Sequence, residues 1–111
     1  MFRKLLPGVA LITLLSAGAP LSAGWEEGVA AFNAGRFDAA SAEFQMVIEQ
    51  SPDWPGGYLM LGRTLLKLNR PGEAVTQLRK AYDLNPNDNS AKLALAQAYL
   101  EATRDGDAAS L

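Results

Sequence analysis

The chain has 111 residues, the length of one small domain, and its 10 basic and 12 acidic residues give a formal net charge of −2. It contains no histidine and no cysteine, which excludes serine–histidine and cysteine–histidine catalysis, the common zinc sites and disulfide bonds. The acidic balance argues against nucleic acid or an anionic membrane as a partner.

The start of the chain has the organisation of a secretory signal peptide. Arg3 and Lys4 precede a stretch without charge, residues 5–24, whose first half is almost entirely apolar. A cut after Ala23 follows a run of small residues, so we predict that residues 1–23 are removed and that the protein is exported, to the periplasm or outside the cell. The alternative is an uncleaved membrane anchor, because the uncharged stretch approaches the ~20 residues that span a bilayer.

The rest of the chain contains an internal repeat with a period of about 34 residues, the size of unit that stacks into an array. Six pairs of identical or similar residues share this spacing: Gly28 and Gly62, Ala40 and Ala74, Ala74 and Ala108, Phe44 and Leu78, Pro52 and Pro86, and Leu61 and Leu95. We call the alignment that these pairs define the repeat register.

Each unit is predicted to contain two amphipathic helices joined by a tight turn. Apolar residues recur at three- and four-residue steps, and Pro52 and Pro86 end the units because proline cannot donate the helical hydrogen bond. Asp53, and Asp88 or Asn89, are predicted to cap the helices that follow them. In chain order, we predict helices over residues 25–34, 37–50, 54–68, 71–84 and 90–103.

These features resemble the tetratricopeptide repeat (TPR) family. The matching residues are Leu61 and Gly62 for its leucine–glycine pair, Tyr99 for the next aromatic, Ala40, Ala74 and Ala108 for the small residue of its second helix, Phe44 for its later aromatic, and Pro52 and Pro86 for its closing proline. The resemblance implies an all-α fold, an α-solenoid of stacked antiparallel helix pairs over residues 24–111. Its units lie at about 21–54, 55–88 and 89–111.

The third unit is incomplete, which leaves about two and a half units in all. Asp107 to Leu111 would form only the opening of its second helix, and Tyr99 is predicted to fill the space beside the small residues where helices cross. The exposed face of the last helix is then covered by another chain, or the sequence is the front of a longer array. The residues leave both interpretations open.

In the family, the first helix of each unit lines a concave groove that holds peptides or helices. By the repeat register, the side chains expected in this groove are Trp25, Val29, Asn33, Leu59, Arg63, Leu66, Lys67, Leu93, Gln97 and Leu100. For the leucines and for Trp25, burial in the core is a competing interpretation. The resemblance implies a protein or peptide partner with apolar anchors and an acidic residue opposite Arg63 or Lys67.

We therefore expect an exported scaffold without enzymatic activity, cofactor or metal, which serves an envelope or secretion complex. After signal cleavage, no association with the membrane is expected. Two alternatives remain: the recruiting part of a longer exported protein with a downstream domain, and a structural protein that completes its last unit with a second copy. The second alternative is a homo-oligomer.

Overall fold

The computed structural model describes residues 24–110, with side chains as far as Arg104. The predicted signal peptide, residues 1–23, lies outside the described residues. Within them the chain forms five α-helices and no strand: α1 Trp25–Asn33, α2 Phe37–Gln50, α3 Pro55–Lys67, α4 Pro71–Leu84 and α5 Asn89–Ser110. No helix in this part of the chain is both long and apolar enough to cross a membrane.

The helices form a stack in chain order. Each helix packs on the next one, and α3 also contacts α5. Helices α1 and α2 are the first pair, α3 and α4 are the second pair, and α5 begins a third. The all-helical repeat predicted from the sequence is therefore confirmed, and α1 and α5 form its two ends.

Both helix pairs turn in the same way. Gly35 and Asn69 have φ values of 79° and 63°, in the left-handed region that glycine and asparagine adopt most readily. The amide of Arg36 donates to the carbonyl of Ala31 at 2.8 Å, and the amide of Arg70 donates to the carbonyl of Leu65 at 2.9 Å. The repeat of the sequence therefore extends to the individual backbone hydrogen bonds of the turns.

Glycine is required where the two helices of a pair cross. A Cβ atom at Gly28 would lie 2.6 Å from Cε1 of Phe44, and one at Gly62 would lie 2.4 Å from Cγ of Leu78. Phe44 and Leu78 are themselves fully buried. The larger residue of the second helix thus occupies the space that the missing side chain leaves in the first.

The end of α5 differs from the prediction. The sequence predicted that this helix ends at Thr103 and that a second helix begins at Asp107. In the structure, α5 continues to Ser110. In the repeat register, Thr103 is the equivalent of Asn69, the left-handed residue of the second turn. A β-branched residue strongly disfavours positive φ, so the chain stays helical at this position.

Of the two predicted aspartate caps, one is confirmed and one is wrong. The amide of Ser90 donates to Oδ1 of Asp88 at 2.9 Å, which caps the first turn of α5. At the start of α3 the cap position belongs to Trp54, and no side chain accepts a hydrogen bond there. Pro55 follows at the first helical position and has no N–H, so this helix start has one fewer amide to satisfy.

The prediction that Tyr99 fills a helix crossing is also wrong. Tyr99 is 39% exposed, and the guanidinium carbon of Arg79 lies 5.6 Å from the centre of its ring. Its equivalents in the first two units, Ala31 and Leu65, are almost completely buried. In those units a second helix covers this position, and within the described residues α5 has no such neighbour.

Candidate binding groove

A groove with a volume of about 650 Å³ lies between α3 and α5. Arg63, Leu66 and Lys67 form one wall, at the three- and four-residue steps that place side chains on one face of a helix. The full set of lining residues is Phe32, Arg63, Leu66, Lys67, Ser90, Leu93, Ala94, Gln97 and Glu101. Only one residue, Phe32, comes from α1.

Phe32 positions the arginine of the groove. The guanidinium carbon of Arg63 lies 5.7 Å from the centre of the Phe32 ring, and its Nη1 lies 3.9 Å from the sulfur of Met60. A guanidinium over an aromatic face is held by the ring's negative potential and keeps most of its N–H groups available. A side chain of the first unit therefore orients a cation of the second.

The two cations of the groove have no acidic partner among the described residues. Within that range, the ion pair of the structure joins Arg70, just before α4, to Glu73 in the first turn of α4, at 2.8 Å. The hydrogen bond from Arg70 to Glu73 raises the pKa of Arg70 above its usual value. Arg63 and Lys67 are exposed on the α3 wall and remain available to an anion.

The opposite wall carries one negative charge. Nε2 of Gln97 donates to Oε2 of Glu101 at 3.2 Å, a four-residue contact along α5. Ser90, Leu93 and Ala94 complete this wall, so the groove combines apolar side chains with positive charge on α3 and negative charge on α5. No group of acidic residues that could hold a metal ion occurs in the described part of the chain.

Half of the residues that the register predicts for the groove are brought together there. Arg63, Leu66, Lys67, Leu93 and Gln97 line it. The remaining five, Trp25, Val29, Asn33, Leu59 and Leu100, do not.

The residues that lie elsewhere are mostly drawn into the core. Val29 and Leu59 are half-buried against it, as the competing interpretation allowed. The ring of Trp25 lies 4.9 Å from Trp54, because the connection before α3 folds back onto the start of α1. Asn33 is the last residue of α1; its side chain is exposed and does not line the groove.

Sequence reasoning missed Phe32, Ser90, Ala94 and Glu101. The register contained a signal for Phe32, which is the equivalent of Leu66 in the preceding unit. Glu101 lies one helical turn after Gln97, so the same face of α5 includes it. The cation–π contact of Phe32 with Arg63 joins two units, and no local pattern indicates such a contact.

Residues 59–111 match the family described as tetratricopeptide repeat. The match supports a tetratricopeptide repeat in this part of the chain. It includes all but the first turn of α3, the whole of α4 and α5, and every groove residue except Phe32. Among curated proteins no relative matches the sequence.

Tetratricopeptide repeats are typically interaction modules without catalytic activity. The first pair, α1 and α2, lies before the matched residues, but it repeats the turn and the crossing glycine of the tetratricopeptide unit that follows. Apart from Phe32, the groove is lined by matched residues. Protein–protein interaction is therefore the function class that the repeat indicates.

Proposed function

We propose that this protein is an exported interaction module that holds a segment of a partner protein in the groove between α3 and α5. The observation that carries the proposal is that the pair of cations, Arg63 and Lys67, lines the same groove as the apolar Leu66 and Leu93. Because neither cation has an acidic partner within the described residues, the groove has positive charge that a partner can neutralise.

The chemistry of the groove defines the partner segment. A carboxylate placed between Arg63 and Lys67 can form charge-assisted hydrogen bonds, which are the strong class of polar contact. An apolar side chain near that carboxylate fits against Leu66 and Leu93. A volume of about 650 Å³ accepts a few side chains of one segment, in the helix-in-groove or extended-peptide manner.

Binding is tested by photo-crosslinking in cells that produce the full chain. A photoreactive residue replaces Gln97 on the groove wall, and in a control protein it replaces Gln45, which is exposed on α2 and outside the groove. We expect one dominant adduct from position 97, absent from position 45. Adding Arg63→Glu and Lys67→Glu should remove it, because the reversed charges repel a carboxylate.

Two outcomes contradict the proposal. The first is an adduct of equal yield from both positions, which means that the contact does not depend on the groove. The second is an adduct from position 97 that survives both charge reversals, which means that the cations do not select the partner. An adduct that meets neither description is then identified by mass spectrometry, and its segment is titrated against the purified protein.

Export is a separate part of the proposal and rests on the charge pattern of residues 1–24. We expect the secreted or periplasmic fraction to contain a chain whose first residue is Gly24, as measured by intact mass. Leu11→Arg breaks the apolar run and should leave the chain inside the cell with its leader attached. Wild-type protein that retains Met1 in the cytosol would show that the leader has another role.

A further inference from the structure

The two ends of the helix stack can be compared through the repeat register. In α3, Leu61 and Thr64 are buried, and Gly57 on the same side would place a Cβ 3.2 Å from Cγ1 of Val47 in α2. This side of α3 therefore packs on the preceding unit. The equivalents of Leu61 and Thr64 in α1 are Glu27 and Ala30, one repeat earlier, and both are exposed.

We call this end of the stack the leading face. It consists of Glu26, Glu27, Ala30, Glu43 and Met46. Met46 belongs to it because a Cβ at Gly24, the residue before α1, would lie 3.5 Å from the Cβ of Met46. The face contains three carboxylates and no basic residue, and its Met46 side chain is 42% exposed.

The other end, the trailing face, is the outer side of α5. It consists of Lys92, Leu93, Ala96, Tyr99 and Leu100, with Arg79 of α4 beside the Tyr99 ring. Helix α5 turns its small residues, Ala91, Ala94 and Ala98, towards the core, and leaves Leu93 and Leu100 72% and 68% exposed. In α3 the equivalent leucines, Leu59 and Leu66, are half-buried.

The charges of the two ends are opposite in sign. Residues 24–54 contain six acidic residues and one basic residue, a formal charge of −5. Residues 55–111 contain seven basic and six acidic residues, a formal charge of +1. At the faces themselves, Glu26 and Glu27 lie on the leading face, and Lys92 and Arg79 lie on the trailing face.

We propose that the leading face of a second copy of this chain docks on the trailing face, so that copies associate head to tail. The contact would cover Tyr99 and Leu100, together with Leu93, which also lines the groove. It would place Glu26 and Glu27 of one copy near Lys92 and Arg79 of the next. The second copy would occupy the place that the second helix of a unit takes in the first two units, where Gly62 of α3 contacts Leu78 of α4. A two-fold pairing of trailing faces would instead bring two sets of basic residues together.

A head-to-tail assembly always has one leading face and one trailing face that are not in contact. Further copies can therefore keep adding to it, unless the two free faces meet and close a ring. Salt should weaken the association, because the charges on both faces are exposed and a Debye length is only about 8 Å at physiological ionic strength.

The test is sedimentation velocity of the full-length gene product, purified from the compartment where it accumulates, over a series of concentrations at low and high salt. We expect an average mass that rises beyond a dimer at low salt. Lys92→Glu and Glu27→Lys should each weaken association about fivefold, and the double variant should regain most of the loss. Arg36→Glu changes the net charge as Lys92→Glu does, lies outside both faces, and should have no effect.

The outcomes separate this proposal from the groove and from other assemblies. Arg63→Glu should leave the association unchanged, since Arg63 belongs to neither face. A mass that stays monomeric at every concentration overturns the proposal, and a mass that stops at a dimer replaces it with a two-fold contact. A double variant that associates no better than either single variant shows that Glu27 and Lys92 do not meet.

Discussion

Gly62 and Leu78 mark the closest approach of α3 to α4, and the same approach recurs at Gly28 and Phe44 in the first pair. At each of these crossings, the short distance between the two helices requires glycine in the first helix. A side chain is missing from one helix where the other helix contributes a large apolar group that is fully buried. Substitutions at these positions test whether the small residue is needed for space or only for backbone freedom.

Gly62→Ala should lower the free energy of unfolding by about 1–3 kcal/mol, because its Cβ would overlap Leu78 in a closed core. The measurement is urea unfolding followed by circular dichroism. Gly72→Ala is the matched control, since a Cβ at Gly72 in α4 meets no atom within 4 Å. Its stability should stay equal to that of the wild type or rise, because alanine is the better helix former. Equal losses at both positions would contradict the packing argument.

The bounds of the helices were largely predictable, because residues with a strong conformational preference mark most of the helix ends. Gly35 and Asn69 permit a left-handed turn, and proline marks the starts of α3 and α4, so these limits agree with the sequence to within a residue or so. The end of α5 was not predictable from spacing alone, because Thr103 occupies the turn position without the properties of a turn residue. For the groove, the register found five lining residues, Arg63, Leu66, Lys67, Leu93 and Gln97, all on α3 and α5. It misplaced Trp25, which packs against Trp54, because no periodic pattern indicates that contact.

Asp88→Ala should destabilise the protein by about 1 kcal/mol, because it removes the side-chain oxygen that accepts from the amide of Ser90. Asp53→Ala provides the control. It removes the same side chain from the equivalent connection, where no cap bond forms, and should change the stability by less than about 0.5 kcal/mol. Thermal unfolding of the two variants side by side measures the difference. A larger loss for Asp53→Ala would mean that α3 is capped after all.

At the scale of the whole molecule, stability depends on how many neighbours each helix has. In a stacked array the free energy is approximately a sum of unit and interface contributions, so an end helix lacks one interface. Helix α3 packs on α2, α4 and α5, whereas α1, the shortest helix, packs mainly on α2. The groove is built on α3 and α5, so one of its walls lies on the best-supported helix and the other on an end helix.

Amide hydrogen exchange should therefore be slowest in α3 and α4 and fastest in α1 and in the last turns of α5. Opening of α1 breaks mainly its interface with α2, whereas opening of α3 breaks three interfaces and approaches global unfolding. Peptide-level mass spectrometry at low protein concentration measures this order. A bound partner segment should slow exchange in α3 and α5 and leave α1 almost unchanged, since α1 contributes only Phe32 to the groove. Protection that appears first in α1 would place the partner on the leading face instead of in the groove.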